Sequence, residues 1–356
     1  MEILFTKDKD WLYKWDNYMM NSPRGSHLNL SHWLQSYASY GFSYEIGILL
    51  KNDEIIGGYG VIIPKVLFMK FYILPHGPVI SKGHESELNN MLDEIENRAK
   101  LLGCCYAQIS MSISSNPLIA SHVYHPKRID ISRSSFVDGK LFNYIYCSFG
   151  LNWIDFNKNE NETDFLDALT PKVRRNIRMP HNKGAFIKES STENEIKNGY
   201  EIIEENAIRS GYQVRNYKDF QECMNSLVNK DQAVFMNILH DGINKASIFA
   251  IKSGGYLTNI MGGVMRSKPD IKLGYLLQWA LIKKSYELGY KGYNISMGGS
   301  PGVLEFKSRF NTETIFFEKP HYHVILKPIL FKLFVILEKR IKPYKGKISK
   351  FLSKIK

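Results

Sequence analysis

Residues 233–252 read AVFMNILHDGINKASIFAIK: two runs rich in β-branched and aromatic residues on either side of Asp241-Gly242, the kind of dipeptide that closes a tight hairpin. The helical stretch YLLQWALIKKSYELG follows at 275–289, and ELGYKGYNIS at 287–296 returns as a short strand. The same plan occurs earlier in the chain. YEIGILLKNDEIIGGYGVII at 44–63 is a hairpin turning at Asn52 and Asp53; a long helix follows, and LLGCCYAQIS at 101–110 closes the unit. Leu102-Gly103 answers Leu288-Gly289, and Ile109-Ser110 answers Ile295-Ser296. From Asp53 to Ser110 is 57 positions, and from Gly242 to Ser296 is 54. Agreement in both order and spacing indicates two copies of one mixed α/β unit, divided near residue 150.

Composition is consistent with this division. A chain of 356 residues with 44% apolar content can build about two domains with real cores. The opening MEILFTKDKD lacks the basic-then-apolar pattern of a secretion signal, so a cytoplasmic location is expected. Cys104, Cys105, Cys147 and Cys223 form no CxxC pair and read as reduced, buried thiols, with no structural metal expected. Of the net +12, +9 lies in residues 327–356, where ten Lys/Arg face Glu338 alone. In this tail Ile348, Phe351, Leu352 and Ile355 recur at helical spacing, while Lys347, Lys350 and Lys354 point elsewhere. The run PILFKLFVIL is too short, and too interrupted by Lys332, to span a bilayer. Anionic lipid at the inner face of the plasma membrane, RNA, or the protein's own surface are the partners this pattern suits.

Four cations crowd 172–178: Lys172, Arg174, Arg175 and Arg178. Thr170 and Pro171 begin a helix there and Pro180 is expected to end it, with Val173 and Ile177 as anchors. One basic side is then expected to face the cleft between the two units and clamp a diphosphate or a carboxylate; a solvated cationic face is the alternative. His321 and His323 share a face of one strand without a third ligand in view, so packing is the expected role.

A hairpin, a further strand, a helix and a returning strand resemble the centre of a GNAT acyltransferase fold. In such folds the helix N-terminus beside a splayed sheet offers free N–H groups to the donor. Here that place is RSKPDIKLGY at 266–275, with Lys268, Lys272 and the Gly274 backbone as donor-binding candidates, although no glycine-rich cradle is present. Longer motifs narrow the resemblance. FLDALTPKVRRNIRMPHNKGAFIKES, SGYQVRNYKDFQECM, YILPHGPVI and SPGVLEFKSRFNTE are similar to stretches of the FemAB family, and the match runs through most of the chain.

That resemblance implies tandem GNAT-like domains, at 1–150 and 151–326, followed by the basic tail at 327–356. It implies transfer of an amino acid from aminoacyl-tRNA to an amino group of a lipid-linked or nucleotide-linked peptidoglycan precursor, with no further cofactor. It points to Lys307 as oxyanion stabiliser, Arg309 as a second catalytic candidate, and Arg215 and Tyr217 as acceptor-orienting residues. Two departures matter: Asn294 stands where the family has aspartate, and Asn311 where it has glycine. Two other functions stay open, an acyl-coenzyme A-dependent acyltransferase acting on an amino sugar or lipid-linked glycan, and a non-catalytic envelope-precursor binding protein. No nucleophile-His-Asp order is recognisable, and a covalent acyl-enzyme is not expected.

Overall fold

The computed structural model describes residues 2–131 and 135–341. Two mixed sheets hold the chain together, and they share one strand order. The first sheet is built from β1 (Glu2–Phe5), β2 (Ser43–Lys51), β3 (Glu54–Ile63), β4 (Lys65–Val66), β5 (Met69–Ile73), β6 (Val79–Ile80), β7 (Tyr106–Ser110) and β8 (Val137–Asp138). The second uses β9 (Gly150–Asp155), β10 (Phe186–Glu189), β11 (Ala233–His240), β12 (Ile243–Ser253), β13 (Tyr256–Val264), β14 (Gly292–Asn294) and β15 (Glu313–Phe316). The last strand, β16 (His321–Ile325), returns to the first sheet.

Position by position, β1-β2-β3-β5-β7-β16-β8 answers β10-β11-β12-β13-β14-β9-β15. The echo in the sequence is therefore an echo in topology. In each sheet one strand pair is parallel, β5 with β7 and β13 with β14, as expected where a helix carries the chain across. Those helices are α3 and α8 in the chain's sequence of α1 (Lys9–Asn21), α2 (Ser31–Gln35), α3 (Leu88–Leu101), α4 (Glu162–Ala168), α5 (Pro171–Asn182), α6 (Glu193–Arg209), α7 (Tyr217–Asn229), α8 (Leu273–Glu287), α9 (Pro301–Ser308) and α10 (Pro328–Ile341).

Local chemistry explains the shared turns. Asn52, Asp53, Asp241 and Gly242 all take positive φ, the requirement of a two-residue hairpin that follows the strand twist. Gly103 and Gly289 follow the two crossover helices at φ 73° and 70°, the left-handed stop expected of them. Asn311, at φ 54°, adopts the turn that glycine would otherwise take.

Membership of the sheets cuts across chain order. β16 was grouped by sequence with the second unit, yet it pairs with β7 and occupies the place that β9 fills in the other sheet. Each unit thus receives its sixth strand from the chain segment that follows the other unit's early strands, which ties the two together. A continuous apolar core reinforces the tie: Trp33 of the first unit meets Phe220 of the second edge-on, with ring centroids 5.7 Å apart. All four cysteines are buried and free.

Side-chain alternation in the second sheet decides what each face meets. Ala233, Phe235, Phe249 and Ile251 point into the core shared with α6, α7 and the first unit. Val234, Met236, Ile238, Ile248 and Ala250 point the other way, to α8 and to Val173 and Ile177 of α5.

In the C-terminal region, α10 packs on the first sheet: Phe331 stacks on Tyr106 at 4.8 Å and Phe334 lies 4.6 Å from Phe71. The amphipathic pattern at 347–355 lies outside the described residues. Among the described residues, no helix is long and apolar enough to cross a membrane.

Candidate active site between the two units

β13 and β14 are paired only at Leu257↔Tyr293 and Thr258↔Asn294, after which they part. Beside the opening, β13 carries a bulge: Phe249 faces Met261 and Ala250 faces Asn259, leaving Ile260 unpaired. A bulge re-aims the groups around it, and here residues 258–260 line a cavity of about 640 Å³. The first unit supplies Ser26, His27, Trp33, Tyr37 and His76 to its wall, and the connecting segment supplies Tyr144, Tyr146 and Ser148. From the second unit come Arg215, Thr258, Asn259, Asn294, Ser296 and Gly298.

Among the described residues, Arg215 is the only Lys or Arg in this wall. Its guanidinium sits over the Tyr37 ring at 4.5 Å and near Phe220, Tyr40 and Trp33, and it donates to Ser36 Oγ at 2.5 Å. Aromatic faces stabilise the cation while leaving donors for an anion. Tyr217 is not in the wall. It starts α7, its ring lies tilted beside that of Tyr200, and the Tyr200 hydroxyl donates to the Arg215 carbonyl at 2.7 Å, so this pair holds the arginine in place.

Among the described residues, three buried polar atoms on wall residues have no partner: Trp33 Nε1, His76 Nδ1 and Asn259 Oδ1. An unpaired buried polar group is destabilising by about 1–3 kcal/mol, and these three belong to residues of one cavity wall. Burial pushes the His76 imidazole down to about 4 and that of His27 to about 3, so both are neutral. Because His76 Nε2 faces the Arg24 carbonyl at 3.2 Å, it is the nitrogen that carries the proton, and Nδ1 is left as an acceptor.

Lys307, on α9, is buried just behind the wall. Its ammonium donates to Ser296 O at 2.9 Å, Ser296 Oγ at 3.0 Å and Gly298 O at 2.6 Å. All three N–H groups thus fix the 296–298 segment, itself part of the wall, and burial lowers the lysine's pKa to about 8. Lys307 does not pair with Glu305; Arg309 takes that partner at 2.8 Å and donates to the Tyr275 hydroxyl at 2.6 Å, away from the cavity wall. Asn294 Oδ1 accepts from the backbone N–H groups of Asn152 and Ser296, at 3.2 and 3.1 Å, so the family's carboxylate position is here a structural one.

The basic helix is elsewhere. Pro180 does not end α5, which continues to Asn182 with Pro180 buried inside its last turn. Because Val173 and Ile177 pack against α8, the helix lies on the face of the second sheet opposite the first unit, so its cations do not face the cleft as expected. Arg174, Arg175 and Arg178 line a separate open concavity with Lys183, and Arg174 is tied to the Asp167 and Leu169 carbonyls; Lys172 is exposed. Nor do the three donor-binding candidates reach the cavity wall. Lys268 is exposed, Lys272 pairs with Asp270 at 2.6 Å, and Gly274 sits in the first turn of α8. His321 and His323 serve packing: they contact Ser110 Oγ and the Gly139 carbonyl.

Of the sequence candidates, the structure places Arg215 in the wall and Lys307 behind it; Asn259 and the aromatic wall were not among them. The clustered rings of HWLQSYASYG were the available signal for the latter; Asn259, inside a strand, carried none.

Residues 197–308 match the family model of the acetyltransferase (GNAT) domain, which spans the bulged strand, the splay and Lys307. Among solved structures, FemX superposes with a TM-score of 0.75 at 15% identity, covering 94% of this chain and 99% of that one. The fold is FemAB-like, two GNAT-type units in tandem. L-PGS from Bacillus licheniformis aligns at TM-score 0.53 and 13% identity, over 93% of this chain and 96% of that one. A tandem GNAT protein from the clavulanic acid biosynthesis pathway aligns at 0.50 and 12%, over 91% and 98%. No curated protein matches the sequence. The FemAB-like chain is an acyltransferase by its GNAT domain.

Proposed function

We propose that this FemAB-like chain transfers an aminoacyl group from aminoacyl-tRNA to an amino group of a peptidoglycan precursor, and that the cavity between the units holds the acceptor. The convergence of Arg215 with the three unpaired polar atoms of Trp33, His76 and Asn259 carries this reading. Arg215 binds an anionic group of the acceptor, and the aromatic wall covers its body. Asn259 Oδ1 and His76 Nδ1 accept from its amine.

The amine nitrogen attacks the ester carbonyl. A C–N bond forms, the ester C–O bond breaks, and the proton lost by the amine passes through His76 to the departing oxygen. Orientation supplies most of the acceleration in such a transfer. Lys307 is a positioning residue that holds 296–298 rigid beside the reacting carbon; the oxyanion role expected for it is replaced by this one, since three protein oxygens already accept from its ammonium.

The name of the matched domain favours a second reading, acyl transfer from acyl-coenzyme A to an amino sugar or lipid-linked glycan. Transfer of labelled groups onto lipid-linked precursor, with charged tRNA, RNase-treated charged tRNA and acetyl-coenzyme A in parallel, separates the two. Product only from intact charged tRNA is expected. Product only from the thioester moves the chain to the second reading, and absence of product from both leaves a binding protein.

A further inference from the structure

The helix α10 has two faces of different character. Phe331 and Phe334 are buried against the first sheet, whereas Ile329, Leu333 and Ile336 are 86%, 36% and 43% exposed. These three recur at steps of four and three, so they share one outward stripe. Lys332, Lys339 and Arg340 are exposed on the same helix, and none pairs with an acid among the described residues. After Ile341 the sequence adds Lys342, Lys345, Lys347, Lys350, Lys354 and Lys356 and no acid.

On its opposite face the helix meets the segment at the cavity mouth. Phe142 packs on Phe334 at 5.9 Å, and the Tyr144 hydroxyl donates to Glu338 at 2.9 Å. Tyr144 and Tyr146 line the cavity while remaining 39% and 51% exposed.

We propose that the outward face of α10 docks on an anionic phospholipid bilayer and, because its inner face holds segment 141–146, keeps the mouth of the cavity near that surface. Aliphatic residues interleaved with Lys and Arg, on a helix held by its other face, suit the boundary between headgroups and acyl chains. A second copy of the chain is disfavoured, because it would bring another +12 against this surface. RNA suits the cations but not Ile329, Leu333 and Ile336, which offer no ring for a base to stack on. The surface does not depend on which donor the enzyme uses.

The test is flotation of the full chain with vesicles of phosphatidylcholine plus phosphatidylglycerol and, separately, of phosphatidylcholine alone. Binding to the anionic vesicles is expected to exceed binding to the neutral ones by about tenfold and to weaken with salt. The triple variant Ile329→Asp/Leu333→Asp/Ile336→Asp is expected to lose about tenfold of that binding while melting with the parent, because the replaced side chains are exposed. Lys332→Glu/Arg340→Glu, which leaves the apolar stripe intact, is expected to weaken the same binding. Parent-like binding by the triple variant assigns the membrane contact to 342–356 alone and overturns the proposal. So does equal binding to neutral vesicles, binding to RNA without binding to vesicles, or a dimer that the triple variant dissolves. The transfer assay with soluble nucleotide-linked acceptor reads the cavity independently, so failure of the docking surface and failure of the proposed reaction are distinguishable.

Discussion

The two units share a strand order but treat the first strand of the parallel pair differently. In the first, that strand breaks after β5 and resumes as β6, and the interruption at 74–78 carries His76. In the second, β13 runs through and absorbs the irregularity as the bulge at Ile260. Both irregularities open onto the same cavity. The matching serines diverge as well. Ser110, fully buried, contacts His321 on β16, while Ser296 is held by Lys307 and lines the cavity. One copy of the fold has thus become a closed wall that contributes His76, Trp33 and Tyr37, and the other keeps the open splay at which chemistry can occur.

If that division is right, the largest effect belongs to the open copy. Lys307→Ala removes the ammonium that holds 296–298 and is expected to lower kcat on the order of 10²- to 10³-fold, the scale seen when a preorganised active-site contact is lost. His321→Ala, at the matching serine of the closed copy, is expected to lower the melting temperature and leave kcat unchanged. A reversal of those two outcomes in a steady-state assay would exchange the roles assigned to the units.

Next in size is Arg215→Ala. Loss of a charge-assisted contact to the acceptor is expected to raise its KM by about 10- to 100-fold, with kcat changing far less. Arg215→Lys keeps the charge but not the planar stacking on Tyr37, and is expected to restore only part of the affinity.

A smaller effect follows from pH. Lys307 titrates near 8, so transfer is expected to fall about tenfold per unit above that pH as its hold on Ser296 and Gly298 weakens. Stability should move the opposite way. The unfolded chain holds this proton up to the usual lysine value of 10.5, so between about 8 and 10.5 it binds more protons than the folded chain and unfolding becomes less favourable as pH rises. An activity loss accompanied by rising stability from this group separates deprotonation from denaturation, and Lys307→Arg is expected to abolish the alkaline limb.

Much of this comparison was legible in the sequence, because hairpin turns and helix stops are local. Asp53 and Gly242, then Gly103 and Gly289, mark equivalent places through backbone geometry that few residues adopt. The exchange of β9 and β16 was not legible, since strand pairing between positions as far apart as Ser110 and His321, or Asp155 and Gly292, leaves no local pattern. Arg215 and Lys307 were found through motif resemblance, and their partners were not: which oxygens Lys307 meets depends on how 296–298 folds back. The basic helix misled for a related reason. Its cations are conspicuous in sequence, but Val173 and Ile177 decide which layer it joins, and they join it to α8.

That misplacement yields the smallest expected effect and the most direct challenge to the two-unit picture. Arg175 and Arg178 line a concavity on the far face of the second sheet, with none of the cavity's wall residues among its own. Exposed guanidiniums at this distance act on an acceptor only through a field that physiological salt screens over about 8 Å. Arg175→Ala/Arg178→Ala is therefore expected to change the acceptor's KM by less than about twofold, measured with soluble nucleotide-linked precursor at physiological ionic strength. A rise comparable to that of Arg215→Ala would mean that the acceptor reaches around the second sheet to α5. The closed copy would then be only part of its binding wall, and the cavity between the units would hold the reacting end alone.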